Sequence, residues 1–161
     1  MKDEIESLRA ELARERERSA RFERASITDA LTGLYNRRYG DEELKRLEAE
    51  RAGVNRKGAQ DRRTPTSSYA VLMVDADFFK RVNDTQGHAV GDRVLEEIAE
   101  TLRTTCRATD VLVRWGGEEF LVICRDTSPE SALDLAQRLR ARIEQACIGS
   151  AFGLPWNVTT S

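Results

Sequence analysis

Two stretches join an apolar run to carboxylates. Val71-Leu72-Met73-Val74 leads into Asp75-Ala76-Asp77, and Gly116-Gly117-Glu118-Glu119 leads into Phe120-Leu121-Val122-Ile123. An unbroken apolar run rich in Val, Leu and Ile is the pattern of a strand covered on both faces. The pattern predicts strands over Tyr69–Asp77, Asp110–Trp115 and Glu119–Cys124, the last two joined by a hairpin at Gly116-Gly117. Helical spacing takes over elsewhere. Val94, Leu95, Ile98 and Leu102 form one stripe of a helix that opens at Gly91-Asp92 and runs to about Cys106. Ser128-Pro129-Glu130 starts another, with Ser as cap and Pro in the first position; Ala132, Ala136, Leu139, Ile143 and Cys147 form its inner face. Asp41–Ala52 predicts a further helix, with Leu44, Leu47 and Glu48 at helical spacing and Gly53 as C-cap.

The order helix, strand, helix, strand, strand, helix is the βαββα part of a ferredoxin-like α+β layout, and Asn157-Val158-Thr159-Thr160 reads as the start of its last strand. Residues 26–161 make this globular part, and 1–25 precede it as a stalk. Met1–Arg24 has no Gly or Pro; Ile5, Leu8 and Leu12 keep a 3-4 spacing that Phe22 rejoins, with Glu15 and Ser19 in the seam. That is a weak coiled coil of about three heptads. A lone polar helix is marginal in water, so a parallel partner and a homodimer are expected. In Ser26–Arg38, Ser26 or Thr28 can cap a turn, and Gly33 allows a left-handed backbone. Asn55–Ser68 reads as a solvated loop carrying Arg56, Lys57, Arg62 and Arg63.

Composition narrows the class. The 161 residues suffice for one domain with a core, and a net charge of -2 argues against a dedicated nucleic-acid binder. Cys106, Cys124 and Cys147 lack a paired C-x-x-C spacing and read as reduced thiols. No apolar run approaches the ~20 residues of a membrane span, and the charged residues from Lys2 onward do not resemble a signal peptide. A cytoplasmic domain is the expectation.

If the two acidic stretches lie on neighbouring strands, Asp75, Glu118 and Glu119 meet at one edge of a sheet. Clustered carboxylates repel one another, so such a site calls for a hard cation, Mg²⁺ or Mn²⁺. Taken alone, Asp75 reads equally well as a residue that ends a strand.

Gly116-Gly117-Glu118-Glu119-Phe120 resembles the signature of the GGDEF diguanylate cyclases in its GGEEF form. Three further segments resemble the same family, in order: Asp29–Arg38, Asp75–Lys80, and Asn83-Asp84 with Gly87-His88 and Gly91-Asp92. The resemblance implies the nucleotidyl-cyclase palm fold. It implies condensation of two GTP molecules into cyclic di-GMP with release of pyrophosphate, between two domains that face each other. Carried over residue by residue, it makes Asp75, the Ala76 carbonyl, Glu118 and Glu119 the metal ligands. Glu118 also assists removal of the 3′-hydroxyl proton, with Glu119 and Lys80 beside it in the catalytic set. Lys80 and the backbone of Phe78 and Phe79 hold phosphates, Asn83 and Asp92 read guanine, and Gly116 and Gly117 line the substrate site. His88 is read as structural. Arg107-Ala108-Thr109-Asp110, with five residues between Asp110 and Gly116, resembles the family's inhibitory product site, to which Arg138 adds a third contact.

Complete domains of the family continue past the equivalent of Ser161 into a strand and a helix whose Lys and Arg contact phosphates. The expectation drawn from this is a C-terminally incomplete domain, less stable and more prone to associate along the Tyr69–Val74 edge. Its product binding is intact and its GTP turnover weak or absent. The competing readings are a module that binds cyclic di-GMP or GTP without turnover, and a dimerisation element with an inert globular part.

Overall fold

The computed structural model describes residues 11, 12, 14, 15, 27–57, 68–146 and 160. Glu11, Leu12, Arg14 and Glu15 are helical; the rest of the expected coiled coil lies outside the described residues, as do residues 58–67 of the basic loop, Cys147 and residues 157–159.

The named elements run β1 (Tyr35–Asn36), α1 (Arg37–Lys57), β2 (Tyr69–Asp75), α2 (Phe79–Gln86), α3 (His88–Thr105), β3 (Val111–Arg114), β4 (Glu119–Arg125) and α4 (Pro129–Ala146). The strands form one mixed sheet in the order β1-β3-β4-β2. β4 lies antiparallel to both β3 and β2, and β1 lies parallel to β3. From Phe120 to Cys124 every residue of β4 is buried, because both faces of this central strand are covered. On one face, Val74, Phe120, Val122 and Cys124 pack with Val82 of α2, Ile98 and Leu102 of α3, and Leu135, Leu139 and Ile143 of α4. On the other, Val113, Leu121 and Ile123 pack under Leu47 of α1.

Several boundaries differ from expectation for local reasons. α1 begins at Arg37 rather than Asp41, because the Asn36 side chain caps it: Oδ1 accepts from the Tyr39 N–H at 3.1 Å. Gly53 does not end it, and the helix runs on to Lys57. Its inward polar residue is Glu43, not Glu48, which is exposed. Glu43 is only 3% exposed and is held by Arg125 of β4 and Arg46 of α1. α2 is a separate helix. Gly87, at φ +82°, breaks the chain between α2 and α3, so α3 starts at His88 rather than Gly91. On α4, Ser128 caps as expected, accepting from the Ser131 N–H at 3.2 Å, but Leu135 is the fully packed residue and Ala136 only half-buried. Gly33 is left-handed as expected, at φ +67°.

β2 closes one side of the sheet. Val71 and Met73 pair with Ile123 and Leu121 and share their face, yet they are 41% and 51% exposed, because among the described residues the cluster under α1 reaches β2 only at Tyr69. Beyond β2, Ala76 forms an isolated antiparallel bridge with buried Thr160. No helix among the described residues is long and apolar enough to cross a membrane.

Candidate functional site

The acidic residues meet through the backbone ladder. Asp75, the last residue of β2, pairs with Glu119, the first of β4. One step further, the Ala76 N–H donates to the Glu118 carbonyl at 3.2 Å. Asp75 and Glu118 are thereby set side by side at one end of the sheet. Burial, together with the charges of Asp75 and Glu119, raises the Glu118 carboxyl above its ordinary value. Glu119 turns back: a side chain added at Gly116 would place its Cβ 2.3 Å from Glu119 Oε2. Among the described residues, no group of three or more His, Cys, Asp or Glu is gathered to hold a metal ion. The all-oxygen donor set around Asp75, Glu118 and the Ala76 carbonyl nevertheless suits a hard divalent cation, since two adjacent carboxylates raise one another's cost of ionisation.

The connection between β3 and β4 is wider than a two-residue hairpin. Arg114 and Phe120 are the last paired residues, and the Glu119 carbonyl accepts from both Trp115 N–H (2.8 Å) and Gly116 N–H (3.1 Å). Neither Gly116 nor Gly117 has a positive φ. What lies close to Gly116 is the Glu119 carboxylate, which a side chain there would push aside. Arg114 pins this loop from behind. Its Nη2 donates to the Gly117 carbonyl at 2.8 Å, and its Nη1 donates to Asp29 at 3.0 Å. Asp29 also accepts from the Thr32 N–H and hydroxyl, at 2.8 and 2.7 Å. Burial pushes the Asp29 carboxyl up, but its bonds to Thr32 and Arg114 outweigh this and hold it below the ordinary value. Sequence reasoning placed Asp29 in a motif without a role and missed Arg114; Asp29 and Arg114 lie 85 positions apart.

The turn from β2 to α2 carries Asp77, Phe78 and Phe79. Phe78 is left-handed at φ 60° and 68% exposed, an unusual combination for a bulky aromatic residue. Its carbonyl accepts from the N–H groups of Arg81 and Val82 (2.8 and 3.2 Å), so the twist at Phe78 is what starts α2. The Phe79 N–H, expected to be open to phosphate, donates to the Ala76 carbonyl at 3.3 Å, and the Phe79 ring is buried. Lys80 and Asp92 are exposed. Asn83 is half-buried on α2, with its Oδ1 buried and without a hydrogen-bond partner. An orphan acceptor of this kind costs about 1–3 kcal/mol. His88 is the exposed first residue of α3.

Arg107 and Asp110 lie in the α3–β3 loop, away from the acidic pair. Asp110 accepts from the Arg107 N–H at 2.8 Å, which closes the turn. Arg138 of α4 reaches the same cleft of about 120 Å³, which also touches Cys124 and Ser131. Arg138 itself pairs with Asp134 at 3.5 Å. Burial and the nearby Asp110 push the Cys124 thiol up to about 11 and the Cys106 thiol up to about 12, so both stay protonated at neutral pH.

Comparison with known proteins places this geometry among relatives. A family model described as "Diguanylate cyclase, GGDEF domain" matches residues 26–153. Response regulator PleD of Caulobacter vibrioides is 42% identical over 137 residues, covering 84% of this chain and 28% of that protein. Diguanylate cyclase DosC of Escherichia coli is 38% identical over 125 residues, covering 78% of this chain and 25% of that protein. The chain thus spans about a quarter of the length of these curated relatives (28% and 25%). The crystal structure of the coiled coil and GGDEF domain of DgcB from Caulobacter crescentus, in complex with c-di-GMP, is similar with a TM-score of 0.81 at 26% identity. It covers 99% of this chain and 79% of that one. Diguanylate cyclase SiaD from Pseudomonas aeruginosa, solved in complex with its activator SiaC, gives a TM-score of 0.67 at 36% identity, covering 99% of this chain and 57% of that one.

Proposed function

The chain belongs to the diguanylate cyclase GGDEF-domain family, and from that premise we propose that it binds GTP with a divalent cation and condenses two GTP molecules into cyclic di-GMP. The observation that carries the proposal is the pairing of Asp75 with Glu119, which sets Asp75 beside a Glu118 whose carboxyl is raised by burial and by its acidic neighbours. In this reading Asp75, Glu118 and the Ala76 carbonyl hold Mg²⁺ or Mn²⁺, and Glu119 supports the pair from its place against Gly116. The bound cation would neutralise the triphosphate and lower the pKa of the 3′-hydroxyl.

The remaining roles fall to the chain's own groups. Lys80 and the backbone at Phe78 hold the phosphates ahead of α2, while the Phe79 N–H stays on the Ala76 carbonyl and fixes the turn. Asn83 and Asp92 read guanine: a carboxylate accepts from N1–H and N2–H, donors that adenine does not offer together. The bare backbone of Gly116 and Gly117 lets the nucleotide approach closely. Glu118 takes the 3′-hydroxyl proton as the 3′-oxygen attacks the α-phosphorus of the other GTP. The bond to the β-phosphate breaks and pyrophosphate leaves. Two such events close the ring, so two domains must meet face to face in a homodimer. In-line transfer of this kind depends mainly on positioning and charge.

Arg107, Asp110 and Arg138 form a separate site for cyclic di-GMP that restrains the enzyme. Their shared cleft supports this, as does the presence of c-di-GMP in the DgcB complex. Mn²⁺ binding followed by electron paramagnetic resonance tests the metal assignment. Asp75→Asn should weaken binding at least tenfold, and equal affinity in the two proteins would remove Asp75 from the site.

A further inference from the structure

Gly91 sits in the first turn of α3, fully buried, at a position where helix propensity favours alanine. Its φ lies outside the left-handed region, so backbone conformation does not require glycine. The surroundings do. A Cβ at Gly91 would lie 2.1 Å from Asn83 Oδ1, 3.1 Å from Asn83 Cγ and 3.2 Å from the tip of the Phe79 ring. The first distance is far inside contact, and the side chain it strikes is the one whose Oδ1 is buried and unpartnered. The Asn83 side chain thus occupies the space that a Cβ at residue 91 would take, and the missing methyl group creates its seat.

We propose that Gly91 is a specificity-determining position, which holds Asn83 in its base-reading orientation by offering no side chain. With Oδ1 turned into the protein against Gly91, the amide group left to face a ligand is the NH₂. Asn83 then acts as a donor. A donor suits the acceptors on guanine and opposes the 6-amino group of adenine. Any side chain at residue 91 pushes Asn83 off this seat and presses on Phe79, which anchors the start of α2 beside Lys80. Gly91 touches no nucleotide; it is a positioning residue that acts through Asn83.

This inference rests on the reading of Asn83 as a base contact, and the experiment separates the two. Calorimetry with 3′-deoxy-GTP and 3′-deoxy-ATP, which cannot condense, is run with Mg²⁺ on the wild-type chain, Gly91→Ala, Asn83→Ala and the double variant. Gly91→Ala should lose roughly tenfold in affinity for the guanine nucleotide and little for the adenine one, so that selectivity falls by about the same factor. Asn83→Ala should do the same. The double variant should match Asn83→Ala rather than multiply the two losses, because removing Asn83 removes the group that Cβ would strike. It should also recover thermal stability lost in Gly91→Ala, which keeps the test decisive if the single variant folds poorly. Wild-type selectivity in Gly91→Ala, or multiplied losses in the double variant, would overturn the role of Gly91 while leaving Asn83 as a base contact. An unaffected Asn83→Ala would instead overturn the base contact, and the inference with it.

Discussion

At the scale of single residues, the site is a set of charges that the fold holds together against their repulsion. Glu118 is raised by burial and by Asp75 and Glu119. A carboxyl raised in the native state contributes most below its unfolded pKa, and the contribution is lost as pH rises through the native value. At neutral pH without metal it is therefore a net cost. Glu118→Gln should raise the melting temperature of the metal-free chain, flatten its gain on adding Mg²⁺, and abolish metal-dependent turnover. A scanning-calorimetry comparison with and without Mg²⁺ checks the first two. Asp29 has the opposite sign. Its lowered carboxyl stabilises the fold above the ordinary Asp value of about 3.9, and the contribution is lost as pH falls through the native value. The stability gap between wild type and Asp29→Asn should thus close in acid and open by about pH 5. If Arg107 and Asp110 form the proposed product site, Arg107→Ala or Asp110→Ala should weaken cyclic di-GMP binding by about 2–4 kcal/mol, since each removes a charge-assisted bond and leaves its partner group unpaired. GTP binding should be spared. Unchanged product affinity in both variants would end the assignment.

At the scale of elements, two ionic ties decide where strands and helices sit. Arg114 of β3 holds Asp29, ahead of β1. Arg125 of β4 reaches Glu43 and Glu50 of α1, and Glu43 is the buried partner. Arg125→Ala should cost about 1–3 kcal/mol, discounted because Arg46 still answers Glu43, and the loss should appear as a lower urea midpoint. Neither tie was legible in the sequence, because ion pairs between distant residues leave no periodic mark. What was legible had a repeating pattern: the covered run of β4, the stripe of α3, and the Ser128-Pro129 start of α4. α2 was missed because only Phe79 and Val82 of its residues are buried, too few to show a period. β1 was missed because two residues cannot alternate. The acidic cluster was legible as a neighbourhood, since strands bring their ends together. The turn of Glu119 back over Gly116 was not, because rotamers follow packing that only the fold supplies.

At the scale of the whole molecule, the described helices cover the sheet well on the α2–α3–α4 side and leave Val71 and Met73 exposed on the other. Val71 and Met73 form an exposed apolar strip on β2, the outermost strand among the described residues, and exposed apolar surface attracts other chains. Met73→Lys should lower self-association in sedimentation experiments at high concentration without lowering the melting temperature, since Met73 is half out of the core. If Asp75 and Glu118 serve a reaction between two domains, each holding one GTP, turnover depends on the meeting of two chains. The most direct measurement incubates the chain with GTP and Mg²⁺ over a range of chain concentrations and follows cyclic di-GMP. Cyclic di-GMP should form at a rate per chain that rises with chain concentration, and its formation should disappear in Glu118→Gln. Turnover that survives Glu118→Gln, or no cyclic di-GMP at any concentration from a chain saturated with GTP, would contradict this role of Asp75 and Glu118.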